Sequence, residues 1–122
     1  MKLNQNINKE VNFIKSIDSQ SVLLNDTIIN QSCIVANQHI HTDLNLTNIL
    51  ELTPTHIQKL LENKPEIIIL GSGNEHKFPK IEVLAPIADK NIGFEVMNNQ
   101  SAARTYNVLV AEERKVTCLL IL

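Results

Sequence analysis

The chain has 122 residues and a mass of 13.7 kDa, the size of one domain, since two independent cores would leave each half short of a self-sufficient fold. Hydrophobic residues make up 43% and charged residues 20%, which excludes the low-hydrophobicity, high-charge composition of a disordered chain. With 11 Lys and Arg against 13 Asp and Glu, the net charge of −2 offers no positive field for a phosphate backbone, so no nucleic-acid partner is expected.

The first part of the chain is a series of short β-branched runs. Val11 to Phe13 with Ile14 and Ile17, then Ser21 to Leu24, Thr27 to Ile29, Cys33 to Ala36 and about His39 to Thr42 read as antiparallel strands separated by polar residues. Asn25 and Asp26 tolerate positive φ and suit a two-residue turn. Residues 43–52 fit neither the helical nor the strand period. Thr53-Pro54 then forms an N-cap with proline in the first helical position. Ile57, Leu60 and Leu61 recur at helical spacing, which predicts a helix from about Pro54 to Asn63. After Pro65, the apolar run Glu66 to Leu70 has the pattern of a central strand covered on both faces.

Part of the stretch Lys80 to Lys90 is predicted helical, with a late start near Val83 or a kink forced by Pro86. Gly93 to Met97 reads as a second buried strand, Gln100 to about Glu113 as a helix and Lys115 to Leu122 as the last strand. The C-terminal half is therefore β-α-β-α-β. The expected fold class is α/β, a mostly parallel sheet with helices packed on it, preceded by N-terminal antiparallel strands.

The longest aliphatic run, Ile67 to Leu70, is far shorter than the roughly 20 apolar residues of a membrane helix, so no membrane span is expected. Met1 to Asn6 has no apolar core of a secretory signal, and a cytoplasmic location follows as the expectation. Cys33 and Cys118 each sit in an apolar run and read as buried reduced thiols rather than a disulfide.

Three segments could carry chemistry. Gly71-Ser72-Gly73 leaves the carboxyl end of a buried strand, where open α/β sheets place ligands and where glycines let backbone N–H groups approach an anion. Neither nucleotide motif is complete: Asn74 to Lys77 stand where Walker A needs Gly-Lys-Ser/Thr, and His76 where the dinucleotide fingerprint needs its third glycine. Glu95, on the next strand, lies about where a ribose-binding acid would. A tight turn leaving a central strand is the better account of the glycines. On the last helix Arg104, Tyr106 and Asn107 offer a guanidinium, a phenol and an amide within one turn. They suit a cleft or partner surface, or else Arg104 pairs with Glu95 or Glu112 while Tyr106 packs in the core. His39, His41 and Asp43 share one strand face, but no further partner has metal-ligand spacing, so no metal is expected. Ser72, between two glycines, is the one sterically free hydroxyl at a candidate site and has no identifiable base.

Ile69 to Gly73, Ile92 to Met97, Ala102-Ala103-Arg104-Thr105-Tyr106-Asn107-Val108-Leu109 and Ala111-Glu112 together resemble a family of small domains of unknown function. It includes the mitochondrial NADH dehydrogenase (complex I) assembly factor 3 and an adipogenesis-associated protein. The resemblance covers the second half of the chain, while the first half matches in length and in its run of strands. It implies a three-layer α/β fold with a mixed central sheet and little chemistry, since the family has no established catalytic mechanism and its mitochondrial member is an assembly partner; no cofactor is expected, and a protein partner is. Asn98-Asn99 depart from the family's usual Asp-Thr, Ala103 from a common Cys and Glu113 from a common Gly. No Trp appears around Leu44 to Leu52, where the family often has one. The leading expectation is a non-enzymatic, protein-binding or assembly-factor-like module with its partner surface near Arg104. The alternative is a small-molecule or nucleotide-binding domain, an enzyme among its forms, using Gly71 to Gly73 with a cleft near Arg104.

Overall fold

The computed structural model describes residues 10–122, so the reading of Met1 to Asn6 lies outside the described residues. Two sheets are present. β1 (Ile14–Ile17), β2 (Val22–Leu24) and β3 (Thr27–Ile29) form an antiparallel meander. Asn25 turns between β2 and β3 at φ +52°. Its side chain accepts from the Phe13 N–H at 3.0 Å and donates to the Val11 carbonyl at 3.2 Å. The second sheet has the order β5-β4-β8-β6-β7, built from β4 (Cys33–Ala36), β5 (Ile40–His41), β6 (Ile67–Gly71), β7 (Gly93–Met97) and β8 (Val116–Leu120). β6 pairs in parallel with both β7 and β8, and β4 joins β8 antiparallel, so the sheet is mixed.

Side chains of the central strands alternate between two cores, as the period-2 geometry of a strand requires. Ile34, Ile68, Leu70, Leu119 and Ile121 face one side and meet α1 (Pro54–Leu61) and α2 (Ala85–Ala88). Cys33, Val35, Ile69, Cys118 and Leu120 face the other and meet α3 (Asn99–Ala111) and the small sheet. Helices and meander thus sandwich the mixed sheet in three layers, and Ile68, Ile69 and Leu70 are fully buried as the central strand expected from their apolar run. Both cysteines are free and buried.

Two irregular stretches follow expectation and one strand departs from it. Residues 43–52 form neither helix nor strand: Asp43 and Asn45 take positive φ and a 3-10 turn spans Ile49–Glu51, which lets Leu44, Leu46, Ile49 and Leu52 all reach the first core. Around Pro86, a 3-10 turn over Ile81–Leu84 runs into α2, where the missing proline N–H falls in the first turn and breaks no bond. β7 is the edge strand of the mixed sheet rather than a buried one. Phe94 and Val96 pack on the first core and Met97 on the second, while Glu95, on the same face as Met97, is exposed.

α1 is capped as its sequence predicts. The Thr53 hydroxyl accepts from the His56 N–H, and the His56 Nδ1 accepts from the Thr53 N–H at 3.0 Å. His56 Nε2 donates to the Leu44 carbonyl at 2.8 Å, which ties the irregular segment to the helix.

Candidate functional site

β6 is the point where the chain changes sides: α2 follows it on one face of the sheet, and α3 follows β7 on the other. The carboxyl ends of β6 and β7 therefore border the crevice where an open α/β sheet ordinarily places a ligand. Here a side chain of the protein fills it. Asn99, 3% exposed at the start of α3, accepts from the Gly73 N–H at 3.0 Å and donates to the Ile121 carbonyl at 2.7 Å. One amide thus joins the loop after β6, the start of α3 and the end of β8.

The glycine turn is shaped by this closure. A Cβ on Gly71 would sit 2.6 Å from both the Leu119 carbonyl oxygen and Asn99 Oδ1, so only glycine lets β6 end this close to β8 and α3. Gly73 has open space around it but φ +106°, a backbone conformation that glycine alone adopts freely. Ser72 is buried, and its hydroxyl donates to the Glu75 carbonyl at 2.6 Å and accepts from the Lys77 N–H at 3.1 Å. The hydroxyl's donor and an acceptor lone pair are spent inside the loop. Beside it lies a depression of about 310 Å³ lined by Ser72, Gly73, Asn74, Lys77 and Thr47.

The structure disperses the remaining predicted residues. Tyr106 is fully buried, with its hydroxyl 2.8 Å from the Asn12 carbonyl and 3.1 Å from that of Ala36; burial pushes its ionisation upward. Asn107 pairs with the backbone of one residue, accepting from the Ile14 N–H at 2.9 Å and donating to the Ile14 carbonyl at 2.8 Å. These two side chains hold β1 against α3. Arg104 is exposed, and among the described residues its guanidinium reaches only the Ser101 hydroxyl at 3.5 Å. It pairs with neither Glu95 nor Glu112; the ion pairs among the described residues are Arg114 with Glu66 at 2.6 Å and His41 with Glu62 at 3.6 Å. Among the described residues no cluster of three or more His, Cys, Asp or Glu could hold a metal.

One surface escaped the sequence reading. Phe78 is 61% and Ile81 83% exposed, and with Pro79, Leu84, Ala88 and Phe94 they line an apolar groove of about 560 Å³ beside β7. It lies on the α2 side of the sheet, opposite α3 and Arg104. Its residues come from the loop before α2, from α2 and from β7. Nothing in their spacing brings them together; only the Phe78-Pro79 and Ile81 apolar positions in an otherwise charged stretch mark it.

Comparison with known proteins adds the family. The model of the family described as protein of unknown function (DUF498/DUF598) matches residues 14–121. The chain belongs to this family. A Francisella tularensis relative named 13 kDa major membrane protein is 31% identical over 86 residues, 70% of each chain. A Xenopus tropicalis relative named NADH dehydrogenase [ubiquinone] 1 alpha subcomplex assembly factor 3 is 23% identical over 113 residues, 92% of this chain and 62% of that one. The chain thus spans less than two thirds of that relative's length. Among solved structures, a Xanthomonas campestris protein shares 34% identity at a TM-score of 0.83, over 99% of this chain and 92% of that one. A Bordetella pertussis protein described as a Mth938-like domain has the same fold at a TM-score of 0.80, with 23% identity over 99% of this chain and 92% of that one. Among the described residues no helix is long and apolar enough to cross a membrane.

Proposed function

We propose that this chain is a non-enzymatic docking module of the assembly-factor kind, whose partner seats on the Phe78–Ile81–Phe94 groove. The observation that carries the reading is the exposure of Ile81 and Phe78 around an apolar groove, since large contiguous apolar surface on a small domain marks a contact site. The assembly-factor name of the Xenopus relative is consistent with such a role. The reading moves the partner surface from Arg104 to the opposite side of the sheet. It is supported further by the switch point, where the Gly73 N–H that an anionic ligand would need already donates to Asn99. A small molecule in the depression beside Ser72 has less support, because the Ser72 hydroxyl is bonded within its own loop.

We further propose a cytoplasmic location, in keeping with two reduced, buried cysteines. Fractionation of the native host tests it, and recovery in the membrane pellet would contradict it.

The docking reading is tested with a photo-reactive benzophenone side chain installed at position 81 and, separately, at position 104. A discrete protein adduct from position 81 and none from position 104 is expected. The reverse pattern would return the partner surface to α3.

A further inference from the structure

We infer that the free edge of β7 accepts an extended segment of a different protein as an added strand. The segment carries apolar side chains over the groove and a basic side chain opposite Glu95. This rests on the docking reading of the groove and specifies how the partner is held.

The backbone of β7 sets the geometry. The Gly93 N–H donates to the Glu66 carbonyl and the Met97 carbonyl accepts from the Ser72 N–H. With the parallel register Ile67–Gly93 to Gly71–Met97, the backbone groups of Gly93, Glu95 and Met97 are turned toward β6. Those of Phe94 and Val96 are turned outward. Among the described residues one of these outward groups has a partner, the Val96 carbonyl, which accepts from His76 Nε2 at 3.2 Å. Among the described residues the Phe94 N–H and carbonyl and the Val96 N–H have no hydrogen-bond partner, which leaves them to an incoming chain.

The same alternation decides the side chains. Phe94 and Val96 pack toward the α2 side, where Phe78 and Ile81 stand exposed. A strand added about 4.8 Å beyond β7 lays the residues opposite Phe94 and Val96 over this groove. The residue between them falls on the other face, opposite Glu95, which is exposed and has no ion-pair partner among the described residues. Opposite charges across a ladder attract and like charges repel. The fitting sequence is therefore apolar–basic–apolar.

Two other occupants fit less well. A helix lying on the groove would cover the Phe94 N–H and carbonyl without pairing them, and an unpaired backbone group removed from water is costly. A second copy paired antiparallel along the whole of β7 would set Glu95 against its own copy.

The probe is a capped pentapeptide, Thr-Val-Arg-Val-Thr, titrated into the full-length, isotope-labelled protein and followed by amide and methyl NMR. We expect shifts at Phe94, Val96 and Ile81, and about tenfold weaker binding when Glu replaces the Arg of the peptide. Glu95→Arg is expected to reverse that preference. With the peptide antiparallel to β7, each valine forms a hydrogen-bonded pair with Phe94 or Val96, so methylating both valine amides is expected to abolish binding by removing the donor to the Phe94 carbonyl. Equal affinity of the methylated peptide, or no response at β7 at millimolar peptide, would overturn strand addition. The two readings separate through Ile81→Asp: if it releases the natural partner while the peptides fail, docking stands and strand addition falls. If it keeps the partner, the docking reading itself is wrong.

Discussion

Gly73 and Asn99 are bonded to each other in both directions: the Gly73 N–H donates to Asn99 Oδ1 at 3.0 Å, and the Asn99 N–H donates to the Gly73 carbonyl at 2.8 Å. This reciprocal pair closes the crevice between β6 and β7, and Asn99 Nδ2 extends it to the Ile121 carbonyl. Asn99→Ala should lower unfolding free energy by about 2–3 kcal/mol, because it strands buried partners on two separate segments. Asn99→Asp should cost at least as much, since a carboxylate cannot donate to the Ile121 carbonyl. Urea unfolding of both variants checks this, and a near-neutral Asn99→Asp would show that the amide donor is dispensable.

The two glycines of the same turn should respond differently. Gly71→Ala drives a Cβ against the Leu119 carbonyl, a backbone atom held in the sheet, and should cost about 3 kcal/mol. Gly73→Ala meets open space and bears only the strain of φ +106°, about 1–2 kcal/mol. Thermal unfolding should therefore rank Gly71→Ala as the less stable of the two.

Asn107 and Tyr106 anchor one segment from adjacent positions on α3. Asn107→Ala should destabilise by about 2 kcal/mol by freeing both backbone groups of Ile14, and Tyr106→Phe by about 1 kcal/mol. Because both bind the chain around β1, the double variant should cost less than the two losses added. Amide exchange should show the protection of β1 falling first in each single variant.

Much of this architecture was legible in the residues. The apolar run Ile67 to Leu70 marked the central strand and Thr53-Pro54 the start of α1. Residues 43–52 were opaque because an irregular segment with two positive-φ residues buries its leucines on no fixed period. β7 looked buried because its apolar residues say nothing of whether a neighbour pairs on its far side. At the site, Tyr106 and Asn107 were singled out for their directional hydrogen bonding, but their partners, Asn12, Ala36 and Ile14, lie some 70 to 94 residues away in sequence and left no local trace. Asn99 stood out only as a departure from the family's usual pair, since one amide reads like another until the fold shows what surrounds it.

Alkaline pH should weaken the fold through the buried thiols. Burial pushes Cys33 from its ordinary value near 9 up to about 12, and burial with the neighbouring Cys33 moves Cys118 upward too. The unfolded chain loses these protons near pH 9 while the folded chain keeps them. Their contribution is therefore complete below pH 9 and is lost as the pH rises toward 12. Urea midpoints measured from pH 8 to 11 should fall, and Cys33→Ala should flatten that slope. In the native protein at pH 8 neither thiol should react with a disulfide reagent.

The most direct measurement of the central claim is quantitative co-purification from the native host of the parent protein, Ile81→Asp and Arg104→Ala, each with its unfolding curve. Both side chains are exposed, so both variants should unfold like the parent. A specific partner polypeptide is expected to stay with the parent and with Arg104→Ala and to be lost from Ile81→Asp. A partner retained by Ile81→Asp and lost from Arg104→Ala would contradict it and put the docking surface on α3.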